Sequence, residues 1–166
     1  MMRTRQPTAT LEDQRIPVQA KLAAAWTSFM FLYIYVDYFT LHKPGVIDDL
    51  RAGVVFEFDI SPALMTAFLA LIAIPIFMVV LSMTLPARAN RITNLIVASV
   101  QVPYAAFNAV GESWSWTYFY GLGVALELIV LALILRSAWT WPRAAPSATM
   151  PTMPTSREAD RAQQQA

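Results

Sequence analysis

PALMTAFLALIAIPIFMVVLSMTLPARANR, residues 62–91, is the stretch that decides the fold. Residues 62–85 carry no charged side chain, and Arg88 and Arg91 then arrive together in a short segment opened by Pro86. A helix needs about 20 mainly apolar residues to cross the hydrocarbon core of a bilayer. Backbone amides inside lipid must find their partners locally, so such a run is read as a helix and not as an open strand. Working outward, three more runs of similar length follow the same logic, at about 22–41, 92–110 and 117–138. The expected fold is therefore an all-α membrane protein, an antiparallel four-helix transmembrane bundle with disordered tails. Its transmembrane domain covers 21–142, after an N-terminal segment 1–20 and before a tail 143–166.

Composition supports this. Hydrophobic residues make up 57% and charged residues 14% of the 166, whereas a soluble domain has about a quarter charged. The formal net charge of +1 gives no ground for a nucleic-acid partner. With no cysteine there can be no disulfide staple or thiolate metal site, and a single histidine, His42, argues against a bundle holding haem on two histidines. No metal site and no cofactor is expected. The first run is preceded by a polar lead-in with Glu12 and Asp13 and ends at Leu41-His42-Lys43-Pro44, too long for a signal peptide, and is read as an uncleaved span.

The ends of the runs carry helix signals. Ser61 before Pro62 reads as an N-cap with proline at the first helical position. Pro44-Gly45, Pro86, Gly111 and Pro142 stop the four runs in turn. Between the first two, Val46–Gly53 is expected to form a short interfacial helix, and 56–60, Phe-Glu-Phe-Asp-Ile, an extended segment with one face toward the membrane surface. The tail after about Arg143 is rich in Pro, Ala, Thr, Ser and Gln and lacks apolar periodicity, which predicts disorder.

Charge sets the expected orientation. Ten of the twelve basic residues fall in the N-terminal segment with Lys21, the 86–91 segment and the far end with its tail. Lys43 and Arg51 are alone on the other side, among Asp48, Asp49, Glu57, Asp59 and Glu112. Cytoplasmic segments carry the Lys and Arg excess, so both termini are placed on the cytoplasmic side of a bacterial plasma membrane. Trp26, Trp139 and Trp141 would then mark the inner interface, and Trp114, Trp116 and Tyr118 the outer one. Arg88 and Arg91 are expected to meet lipid headgroups.

Polar residues inside the runs recur at helical spacing. Trp26, Met30, Tyr33, Asp37 and Thr40 share a face of the first, Asn94, Gln101 and Asn108 a face of the third, and Tyr120, Gly123 and Glu127 a face of the fourth. Ala63, Ala67 and Ala70 give the second a small-residue face. Pro75 and Pro103 remove the helical partners of the Leu71 and Ser99 carbonyls. By depth, at about 1.5 Å per residue, Asp37, Asn108 and Tyr120 share an outer level, and Gln101 and Glu127 lie near mid-membrane. The expectation is a polar interior narrowing from an outer vestibule to Glu127. A carboxylate at that depth costs about 2.5–3.5 kcal/mol, so Glu127 is expected as the neutral acid, bonded to Gln101. The competing reading makes the Asn and Gln stripes structural, since amides commonly join membrane helices.

KLAAAWTSFMFLYIYVDYFTLHKPG (21–45), PARANRITNLIVASVQV (86–102) and the Glu127 of GLGVALELIVLALIL (121–135) carry a resemblance. The chain resembles a bacterial family of small four-span integral membrane proteins known only as a domain of unknown function. More remotely it is similar to DoxX-like four-helix membrane proteins. The resemblance implies four spans over about 21–142 and brings no activity, ligand or site residue. No nucleophile–base pair, metal cluster or phosphate loop is visible, so no catalytic residue is named and an enzyme is not the expected reading. The first expectation is an accessory or structural membrane subunit, with the bilayer and a second copy or another membrane protein as partners. The alternative is a small-solute or proton-coupled binding or permeation protein using Asp37 and Glu127, with Gln101, Asn108, Asn94, Tyr33 and Tyr120 lining the interior.

Overall fold

The structure, a computed structural model, describes residues 16–107, 110 and 114–142. In chain order its elements are helix α1 (Val18–Thr40), short helix α2 (Val46–Arg51), strands β1 (Val54–Val55) and β2 (Phe58–Asp59), and helices α3 (Pro62–Thr84) and α4 (Ala87–Phe107). A 3-10 turn at Trp114–Trp116 then leads into α5 (Thr117–Trp139). Three of the four long helices, α1, α3 and the last with its leading turn, are long and apolar enough to cross a membrane.

Local chemistry explains most of the boundaries. The Ser61 side chain accepts from Leu64 N at 3.2 Å, and Pro62 takes the first position of α3, where its missing N–H costs nothing. Helix α1 begins at Val18, four residues before the start expected at about Leu22; Pro17 precedes it, and the Pro17 carbonyl accepts from Lys21 N. The largest shift concerns the third run. It was expected from 92 after a loop over 86–91, but α4 starts at Ala87 directly after Pro86 and includes both Arg88 and Arg91. Arginine is a good helix former, and its long stem lets the charge reach away from the helix axis. Charge therefore did not mark a loop here.

Between α1 and α3 the expected short helix is present as α2. The extended segment 56–60 is instead the turn and second strand of a small hairpin. Val54 pairs with Asp59 and Val55 with Phe58, so the chain reverses at Phe56-Glu57. Phe56 takes a φ of 55°, a left-handed conformation that two-residue hairpin turns require and that is unusual outside glycine, Asn and Asp.

Helix α1 packs mainly on α3 and α5, and α4 mainly on α5 and α3, while side chains also reach between α1 and α4. Thr40 meets Tyr120 while Val36 faces Gly123, which runs α1 and α5 in opposite directions. The buried core sits toward one end. Leu22, Trp26 and Phe29 of α1, Met78 of α3, Ala98 of α4, and Leu131, Ile134 and Ala138 of α5 form it. Toward the opposite, hairpin end few side chains are buried, among them Ala105 and Tyr120.

Ala63, Ala67 and Ala70 are exposed; α3 turns Pro75, Met78 and Ser82 inward, and the half-buried Leu64, Phe68 and Ile72 extend that side. One expectation is corrected here, the interfacial place of Trp26. It is not an interfacial anchor but a fully buried core residue. Trp114, Tyr118 and Trp139 are exposed, as interfacial aromatics would be.

Helix α4 is organised inside out for water. Its buried side chains include Asn90, Asn94 and Gln101, and its exposed ones include Ile92, Ile96, Val100 and Phe107. A water-soluble helix presents the reverse arrangement. This polar load is why α4, alone among the long helices, falls short of a membrane-spanning composition.

Candidate functional site

The polar residues divide into two groups at different levels of the bundle. The first lies at the tightly packed end and joins α1, α3 and α4. Pro86 has no N–H, so the Ser82 carbonyl four residues earlier is left without its helical donor. The Asn90 side chain fills that place, donating from Nδ2 to the Ser82 carbonyl at 2.6 Å. Asn94, one turn further, donates to the Asn90 carbonyl at 2.9 Å and to Asn90 Oδ1 at 2.7 Å. In return Asn94 Oδ1 accepts from Trp26 Nε1 at 2.7 Å and from Ser82 Oγ at 3.4 Å. Trp26, Ser82, Asn90 and Asn94 are all completely buried, and their polar atoms are occupied by one another. Such a closed network holds helices together and leaves no group for a ligand. Sequence reasoning singled out Asn94 but missed Asn90 and Ser82. The signal was present in the i, i+4 pair Asn90–Asn94 opposite a serine four residues before a proline.

The second group lies above it, where packing loosens. Glu127 of α5 is 2% exposed, and its Oε2 has no hydrogen-bond partner. The hydrogen bond expected from Gln101 does not form among the described residues. Gln101 is itself about nine-tenths buried, but its side chain borders a cleft between α3 and α4. Tyr33 donates to Tyr104 Oη at 2.8 Å, and the two rings stack with centroids 6.3 Å apart. Tyr104, which the sequence stripe did not include, therefore ties α1 to α4 at this level. One turn of α5 before Glu127, Gly123 lets α1 come close: a Cβ there would sit 3.2 Å from Val36 Cγ2. One more turn back, Tyr120 Oη and Thr40 Oγ1 share a hydrogen bond of 3.3 Å, and Lys43 Nζ lies 5.5 Å from the Tyr120 ring centroid.

Asp37 departs from the expected interior position, since its side chain is exposed. The contact face of α1 here passes through Val36 and Thr40, so Asp37, one position past Val36, points beside the seam and not into it. It remains within electrostatic reach of Glu127. The pair thus consists of one buried carboxyl and one accessible carboxyl at the open end. Asn108 lies outside the described residues.

The two arginines differ. Arg88 is exposed, whereas Arg91 is half-buried with its guanidinium 5.9 Å from the Trp139 ring centroid, a cation–π arrangement.

A family model described as a family of unknown function (DUF6326) matches residues 12–146. None of the curated proteins and none of the solved structures compared with the chain matches it, so the remoter likeness to DoxX-like proteins gains no support.

Proposed function

This chain belongs to the DUF6326 family, which lends it no activity, and from its geometry we propose that it is a four-span membrane protein with a carboxyl site for a proton or a small cationic solute. The inverted face of α4 supports a fourth span, because Ile92, Ile96, Val100 and Phe107 would otherwise be left in water. The charge distribution supports placing both termini, with Arg88 and Arg91, on the cytoplasmic side of a bacterial plasma membrane. Asp37 then lies toward the outer side and Glu127 near mid-membrane. Topology is checked with reporter fusions after Arg143 and near Asp49. Opposite locations are expected, and a shared location sinks the arrangement.

The observation that carries the site is the bare Oε2 of a buried Glu127. Buried polar atoms nearly always have partners, and an exception needs an explanation. Asp37, a second carboxyl within electrostatic reach and accessible at the open end, makes an entering positive charge the natural complement. Asp37 would receive the cation or proton, and Glu127 would hold it. Tyr33 and Tyr120 would line the approach.

The structural-subunit reading keeps one support of its own. The closed network around Asn94 serves helix association and nothing else. The two readings meet different tests. In liposomes, binding of methylammonium to the reconstituted chain should strengthen as pH rises, because the ionised carboxyl is the form that holds a cation. Glu127→Gln keeps the shape and the hydrogen bonds of the neutral acid but cannot ionise. It should melt like the parent protein and lose the pH-dependent binding, together with the infrared band of a titrating carboxyl. A well-folded Glu127→Gln protein that binds and titrates as before would return Glu127 to a purely structural role.

A further inference from the structure

Helices α3 and α4 are joined by only two residues and held at that end by Ser82, Asn90 and Asn94. Further along, they leave a cleft of about 240 Å³ between them. Its walls include Leu71, Ile74, Ile96 and Val100, all exposed on the outer surface of the bundle, so it opens sideways. Pro75, Tyr33, Tyr104 and Gln101 also line it, and no charged residue does.

The polar features of this cleft are few; the Tyr33 and Tyr104 hydroxyls bond each other, but Gln101 is not used up by the fold. Gln101 is about nine-tenths buried, borders the cleft and makes no hydrogen bond among the described residues. The carbonyl of Leu71, on the wall, cannot receive the usual helical bond because the residue four positions on is Pro75. One free amide can donate and accept, and one lining residue carries a backbone carbonyl without its helical donor. The cleft is smaller than the roughly 300–1,000 Å³ of pockets that enclose a whole drug-sized ligand. It suits a head and the first part of a chain whose remainder stays outside.

We infer that this cleft is a lateral binding site for an uncharged single-chain lipid amphiphile drawn from the bilayer, with a hydroxyl or ester head held by Gln101 and the chain lying along Ile74, Ile96 and Val100. The absence of charge in the lining favours a neutral head over a phosphate or an amine. A plain acyl chain of the surrounding lipid would cover the walls but leave Gln101 without a partner. The inference rests on the reading that α3 and α4 face lipid, and it does not depend on the carboxyl site at Glu127.

The test uses the full chain in phosphatidylcholine vesicles and two photoreactive probes, a monoacylglycerol and an alkane, each with a diazirine in its chain. Flotation establishes that the protein is embedded, and labelled peptides are mapped by mass spectrometry. Monoacylglycerol labelling should concentrate on 71–75 and 96–104. Val100→Trp, which fills an exposed position of the wall, should remove that labelling while flotation and the helical spectrum stay unchanged; Ile96→Trp serves as a second filler. Gln101→Leu should lower labelling by the monoacylglycerol about fivefold, the value of one net hydrogen bond, and leave labelling by the alkane unchanged. Labelling spread evenly over the apolar faces, or unchanged in the filled variants, would overturn the cleft. Equal loss of both probes in Gln101→Leu would overturn the headgroup assignment. A parent protein that fails to float with the vesicles would overturn the membrane reading and the cleft with it.

Discussion

Asn94→Leu is expected to destabilise the bundle by about 3 kcal/mol, more than any other single amide replacement. A leucine of similar size fills the space, so the loss measures hydrogen bonding more than packing. The substitution removes the acceptor of the Trp26 indole N–H and the donor to Asn90 Oδ1, all at completely buried positions. Each buried group left without a partner costs about 1–3 kcal/mol. Hydrogen bonds between membrane helices average nearer 0.6 kcal/mol, because the unfolded chain in the membrane also finds partners. Two or three such groups abandoned together therefore bring the total to about 3 kcal/mol. The same variant should expose Trp26 to a changed environment, visible as a shift in tryptophan emission. Denaturant unfolding in mixed micelles gives the energy, and a loss below about 1 kcal/mol would show that the network is not what joins the helices.

Gly123→Leu should cost as much by a different route. Even a single methyl at this position would lie 3.2 Å from Val36 Cγ2, tighter than ordinary contact. Gly123→Ala can be absorbed by a shift of a few tenths of an ångström and is expected to cost under about 1 kcal/mol. A leucine cannot be absorbed in that way. It must push α1 away from α5 and pull Thr40 away from Tyr120, and overpacking of this kind costs about 1–3 kcal/mol or more. Thermal unfolding compared between Gly123→Ala and Gly123→Leu checks this directly. Val36→Ala should restore part of the Gly123→Ala loss, because it removes the methyl groups that the new side chain meets. Equal melting of both glycine variants would mean that α1 and α5 do not seat against each other at this level.

Much of the fold is legible in the sequence. The apolar runs located α1, α3 and α5, and the Ser61-Pro62 pair located the start of α3 with its cap. The polar stripes pointed to Asn94, Gln101, Tyr120 and Glu127, each of which is buried. Where the reading departed from the structure, it did so for identifiable reasons. Arg88 and Arg91 suggested a loop because charge is costly in lipid, yet a helix can carry arginine where its stem reaches another environment. The apolar–acidic alternation at 56–60 suggested one extended segment, but alternation alone does not reveal the turn at Phe56. Asn90 and Ser82 went unnoticed because their value depends on each other across α3 and α4 and not on a stripe along either helix.

The sequence by itself determined that the protein is built of long apolar helices and, for α4 and α5, which side bears the buried polar groups. Both follow from local physics, since the backbone in lipid must bond within the helix and a 3.6-residue period sorts side chains onto faces. Only the tertiary structure decided which polar group meets which. Asn94 finds three partners, Glu127 leaves an oxygen bare, and Gln101 turns to the cleft, although all three stand on polar stripes of the same kind. Periodicity along one helix carries no information about its rotation and vertical offset against the next. Those are set by close contacts between helices, such as Gly123 against Val36 and Trp26 against Asn94.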